Sequence, residues 1–71
     1  MEQTMTIGSR FYEVASRTYN PGTKKPYHFE VFEIDAQGRG IAQVHEGTTR
    51  YAKPSEAVAA GEKWLASNKG Q

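Results

Sequence analysis

Between residues 10 and 52 this chain reads as short β-strands whose large apolar side chains fall on both sides of the pleat, and only one helix follows to cover them. Successive side chains of an extended strand point to opposite faces. In the run Tyr27 to Asp35, Tyr27, Phe29 and Val31 take one side, while Phe32 and Ile34 take the other beside His28 and Glu30. In the run Arg10 to Tyr19, Phe11 and Ala15 oppose Tyr12 and Val14. Ile41 likewise opposes Ala42 and Val44. A sheet with one wet face alternates apolar and polar residues more cleanly than this. Three arrangements satisfy such a pattern. A β-bulge in the first or second of these strands carries the large residues inward. A second copy of the chain packs on the spare face. Or that face docks another macromolecule.

The punctuation between the strands has a physical reading. Asn20-Pro21-Gly22 suits a turn, because proline presets φ at its second position and glycine accepts positive φ at its third. Thr23, Lys24 and Lys25 extend it into a loop, and Pro26 opens the next strand. Ala36-Gln37-Gly38-Arg39-Gly40 closes a second hairpin, with Asp35 as a turn former before it. Ile41 to His45 reads as a strand, and Glu46-Gly47 leads to a short fourth segment, Thr48 to Ala52. Residues 1–8 lack this periodicity and read as a flexible tail.

The helix is sharply marked. Pro54 suits its first turn, Glu56 favours the positive end of its dipole, and Lys63 and Lys69 lie toward the negative end. Ala57, Val58, Ala60, Gly61, Trp64 and Leu65 share one arc of a helix over residues 54–69, and Gly70 ends it. Gly61 inside that stripe costs about 1 kcal/mol against alanine. The expected compensation is close approach to the sheet between Ala57 and Trp64. These elements predict an α+β domain over residues 9–69: an antiparallel sheet of three or four strands with one C-terminal helix on one face, and a short tail at 70–71.

With 71 residues the core is small, so oligomerisation is an available source of stability. The chain has no cysteine, which removes disulfides and thiolate metal sites from consideration. No stretch reaches the roughly 20 apolar residues of a membrane span, and MEQTMTIGSR lacks the features of a secretory leader. A cytoplasmic protein without membrane contact is expected. The net charge of +1 is unevenly spread, with +3 over residues 9–28 and −3 over residues 29–62. Such an asymmetry can steer an anionic partner toward the first hairpin.

Catalytic chemistry finds little support. Asp35, the lone aspartate, occupies a turn position. His28 and His45 lie on different strands, and with Glu46 their spacing matches no established metal-ligand pattern. Serines 9, 16, 55 and 67 have no base placed for them. Gly38-Arg39-Gly40 leads into a strand, not a helix, so no phosphate cradle forms. No cofactor, no metal and no enzymatic activity are expected.

A strand, a basic loop with Gly22, Lys24 and Lys25, the strand around Phe29-Glu30-Val31, a glycine-containing hairpin and an alanine-bearing helix ending near Leu65 together resemble the β-β-β-α portion of double-stranded-RNA-binding domains. The resemblance spans Tyr12 through Leu65 and implies phosphate contacts from the loop. The sequence departs from that family where it needs a first helix, and where Pro54, Ser55 and Val58 replace a lysine cluster at the start of the last helix. A similar pattern occurs in AP2 domains and integrase N-terminal modules, which present a sheet face to DNA. That likeness implies Arg10, Arg17, His28 and Arg39 as contacts.

The functional expectation is a small non-enzymatic interaction module of bacterial or phage type, accessory or inhibitor-like, docking onto a protein or onto itself as a homodimer. Its candidate binding residues are Arg10, Tyr12, Arg17, Lys24, Lys25, His28 and Phe32. Nucleic-acid binding through the basic first hairpin is the alternative.

Overall fold

The structure is a computed structural model that describes residues 2–18 and 21–69. Four strands form one antiparallel sheet in sequence order: β1 (Glu2–Ile7), β2 (Arg10–Thr18), β3 (Tyr27–Ile34) and β4 (Gly40–Glu46). The helix α1 (Pro54–Lys69) follows and crosses one face, packing on β2 and β3 and touching β1. The fold is therefore α+β, with a sheet of four strands under a single helix among the described residues.

The fourth strand is not where the sequence places it. Residues 2–7 pair with β2 from Glu2 opposite Ala15 to Ile7 opposite Arg10, in place of the expected tail. Met5 and Ile7 alternate with Thr4 and Thr6, and both half-buried apolar side chains pack against the core. Gly8, at φ 62°, makes the two-residue link possible, since a tight hairpin needs positive φ at that position. At the other end, Thr48 to Ala52 contributes only an isolated bridge, in which Tyr51 exchanges backbone hydrogen bonds of 2.7 and 3.0 Å with Tyr27. Pro21 and Gly22 form a turn, whereas Tyr19 and Asn20 lie outside the described residues, as does the tail at 70–71.

Cross-strand partners share a face, so the registers sort the side chains. Tyr12, Val14 and Ser16 oppose Glu33, Val31 and Phe29 and lie beneath the helix. There Tyr12, Val14, Phe29 and Val31 join Ala57, Val58 and Leu65 in the core. Each fully buried Val or Leu contributes on the order of 1.5–3 kcal/mol relative to exposure. Phe29 is gripped from two sides by glycine. A Cβ on Gly61 would stand 2.9 Å from Phe29 Cδ2 and also against Val14 Cγ1, and a Cβ on Gly47 would stand 2.6 Å from Phe29 Cε1. The close approach expected at Gly61 is thus present, and Gly47 supplies a second.

The bulges fall on β4, not on the two strands where the sequence suggested one. Register shifts lie between Val31 and Phe32 and between Glu33 and Ile34, with Val44 and Ile41 as the extra residues. They carry nothing from β3 inward: Phe32 and Ile34 stay on the face away from the helix, opposite Gln43 and Gly40. β4 itself lies beyond the helix and reaches it through His45, whose ring stacks on Trp64 with centroids 4.0 Å apart and planes 11° from parallel.

Candidate functional site

The face that α1 leaves open is assembled row by row. Its first row is Thr6, Phe11, Ile34 and Gly40; its second is Thr4, Glu13, Phe32 and Gln43; its third is Glu2, Ala15, Glu30 and Glu46. A fourth begins with Arg17 opposite His28. The rows divide the face in two. Phe11, Phe32 and Ile34 make one end apolar, with Phe11 36 % exposed, Phe32 half-buried and Ile34 buried between its neighbours. Ile41, at the second bulge beside Gly40, adds a side chain 59 % exposed at the adjoining sheet edge.

The other end is ionic. Arg17 reaches Glu2 at 3.7 Å and Glu30 at 3.6 Å, the two cross-strand partners of Ala15. The guanidinium bridges over that alanine, which explains why Ala15 is fully buried on a face no helix covers. His28 is only 3 % exposed. Its Nε2 lies 3.0 Å from Glu30 Oε2 and 3.8 Å from Glu46 Oε1, and Arg50 Nη1 approaches its Nδ1 at 3.4 Å. Arginine only donates, so a neutral imidazole in this setting accepts at Nδ1 and carries its proton on Nε2, donating to Glu30. Arg50 also donates to the Thr48 carbonyl at 3.2 Å, which ties the segment after β4 to this cluster.

Between the two ends Glu2 and Glu13 hydrogen-bond to one another. That bond, with burial and the neighbouring charge of Glu2, raises the Glu13 pKa above the ordinary carboxylate range. The Glu2 pKa is lowered, first by the same hydrogen bond and then by the charge of Arg17 against the opposing effect of burial. Two carboxyls held together cannot both ionise freely.

The structure distributes the candidate binding residues unequally. Arg17, His28 and Phe32 share the open face. Tyr12 does not: it is 4 % exposed in the core, because its position places it on the opposite side from Phe11. It is removed from the set of surface contacts. Arg10, on the helix-side parity, pairs with Glu33 at 3.5 Å. Lys24 and Lys25 stand exposed in the β2–β3 loop. His28 and His45 lie on opposite faces, so the two imidazoles do not converge. Asp35 is a turn organiser, accepting from the Gln37 and Arg39 N–H groups at 3.0 and 2.9 Å and pairing with the Arg39 side chain at 3.1 Å.

Sequence reasoning placed Glu30 on the same face as His28 without joining them in a site, and missed Arg50 as a neighbour of His28 and Phe11 and Ile34 as neighbours of one another. The long β2–β3 loop leaves the register open, and Phe11 meets Ile34 only in the register observed. On the helix side, a cleft of about 420 Å³ opens beside the His45–Trp64 stack, with Phe29, Tyr51 and Lys63 also in its wall. Among the described residues no helix is long and apolar enough to cross a membrane. Comparison of the chain with protein-family models, with curated proteins and with solved structures gives no match.

Proposed function

We propose that this protein is a docking module that works through the apolar end of its open sheet face, and that the surface it takes is the same end of a second copy. The observation that carries this reading is the exposed Phe11 ring beside half-buried Phe32, seated on buried Ile34, on the face that α1 leaves uncovered. Three features favour a second copy over a charged partner. The residues beside the cluster on the outer strands, Thr4, Thr6 and Gln43, carry no charge. The arginine on this face is already satisfied by Glu2 and Glu30. And a two-fold axis beside Phe11 sets the Phe11 and Phe32 rings of one copy on those of the other, as an isologous interface requires.

Size is compatible with the reading. The broader extents of the fold, 39 and 24 Å, outline the whole open side, so its apolar end alone falls short of the roughly 800 Å² per partner of a standard interface and fits a weak, reversible dimer. Nucleic-acid binding through the basic hairpin is the weaker reading. Arg10 and Arg17 are each engaged by glutamates, which leaves Lys24 and Lys25 to supply phosphate contacts, and the open face adds Glu2, Glu13, Glu30 and Glu46.

Sedimentation equilibrium over roughly 1–300 µM gives the test, a range that spans weak to moderate self-association. The expected result is a reversible dimer that Phe11→Asp converts to monomer while its circular dichroism stays unchanged, with Lys63→Asp on the helix side as a neutral control. A wild-type protein monomeric throughout, or a dimer indifferent to Phe11→Asp, overturns the reading. Salt-dependent retention of labelled duplex RNA or DNA, lost in Lys24→Ala/Lys25→Ala, replaces it with the nucleic-acid alternative.

A further inference from the structure

The ionic end of the open face contains a donor set that the docking reading does not use. His28 Nε2 and one carboxylate oxygen each from Glu30 and Glu46 all lie within 4.8 Å of one another. We infer that His28, Glu30 and Glu46 form a binding site for a divalent first-row transition ion, for which Zn(II) is the probe.

The backbone builds this site. Glu30 and Glu46 are cross-strand partners on neighbouring strands, and His28 precedes Glu30 by two residues on the same face. Two strands therefore hold three side chains without help from a mobile loop. A tetrahedral ion with ligands at roughly 2.0–2.2 Å needs donors about 3.3–3.5 Å apart. The His28 Nε2 distances of 3.0 Å to Glu30 and 3.8 Å to Glu46 bracket that value. One imidazole with two carboxylates suits zinc-like ions better than magnesium, which favours oxygen and retains its water. His28 is buried, so its ring orientation is fixed by packing. Arg17, 3.6 Å from Glu30 Oε1, orients that carboxylate through the oxygen that does not face His28. The Glu46 side chain is 56 % exposed, which gives an ion a route in and leaves water to complete its coordination.

Arg50 is the competing cation. Ligation needs the Nε2 lone pair, so the ring proton must sit on Nδ1, and a donor such as Arg50 Nη1 cannot remain against it. Metal binding thus exchanges one positive group for another: Arg50 withdraws as the ion enters. Removing its charge should strengthen metal binding, whereas removing a ligand should weaken it. A merely structural ion-pair network predicts no such opposition.

The test is calorimetric titration of the intact protein with zinc chloride in a non-chelating buffer, beside ring-nitrogen NMR of both histidines. One ion per chain is expected, with the His28 Nε2 resonance shifted and that of His45 unmoved. Glu46→Gln, a change at an exposed side chain, should weaken affinity by roughly tenfold or more, and Arg50→Gln should tighten it by roughly threefold or more. Absence of saturable binding below about 100 µM, affinity unchanged in Glu46→Gln, affinity not raised in Arg50→Gln, or a response at His45 in place of His28 would overturn the site.

Discussion

Gly61→Ala separates the packing account from helix propensity, because the two demand opposite signs. Alanine in the middle of a helix is favoured over glycine by about 1 kcal/mol. At this position, however, the added methyl meets Val14 Cγ1 and stands 2.9 and 3.0 Å from Phe29 Cδ2 and Cγ. Val14 and Phe29 are buried and cannot swing clear. Overpacking of this kind costs about 1–3 kcal/mol. The expected net effect is a loss of about 1 kcal/mol, which for a domain this small lowers the thermal midpoint by about 4–8 °C. The variant Val14→Ala removes the methyl in the way and leaves a cavity, costing about 1–3 kcal/mol by itself. Adding Gly61→Ala to it should then cost less than in the parent, because only the Phe29 contacts remain, a coupling of about 1 kcal/mol in urea denaturation. A single Gly61→Ala variant more stable than the parent, or additivity in the double variant, refutes the claim that helix and sheet touch through this glycine.

Gly47→Ala should destabilise by a similar 1–3 kcal/mol, since its Cβ would press on the Phe29 ring at 2.6–2.9 Å, and chemical denaturation reads it directly. Asp35→Ala removes the two bonds its carboxylate accepts from the Gln37 and Arg39 N–H groups, and the Arg39 pair, from the β3–β4 turn. A lower urea midpoint is expected, by about 1 kcal/mol, with faster amide exchange at Gln37 and Arg39. For Glu13 the raised folded pKa means that the native state holds its proton more tightly than the unfolded chain. Stability from this group is therefore present below the ordinary carboxylate pKa and lost as pH rises through the raised one. The lowered Glu2 pKa acts in the opposite sense, its contribution lost as pH falls, and solvent screening weakens it because that side chain is 55 % exposed. Glu13→Gln should accordingly raise the thermal midpoint at neutral pH and lose that advantage in mild acid, where Glu13 is itself protonated; an equal gain at both pH values would contradict the shared proton.

The helix was legible to the residue because its apolar arc, its opening proline and its charge placement all agree over 54–69. The two-faced apolar pattern was legible too: Tyr12, Val14, Phe29 and Val31 lie under the helix, while Phe11, Phe32 and Ile34 do not. Hidden from the sequence was the register, and with it the division of the open face. Two-fold periodicity assigns a side chain to a face but not to a row. The pairing of Phe11 with Ile34, and of Arg17 with His28, follows only once the strands are aligned. β1 was missed because four of its six residues are polar, so Met5 and Ile7 give too short an apolar signal to stand out. The segment Thr48 to Ala52 carries strand-like residues, yet only Tyr51 finds a partner, because the chain must leave the sheet to reach Pro54.

Intermolecular nuclear Overhauser effects in a mixed sample, half uniformly ¹³C-labelled and half unlabelled, test the central claim most directly. The account predicts contacts from the Phe11 ring of one copy to the Phe11 and Phe32 rings and the Ile41 methyls of the other, and none from Val14 or Leu65 beneath the helix. A spectrum with no such contacts at concentrations where the parent sediments as a dimer, or with contacts from the helix side alone, would contradict it.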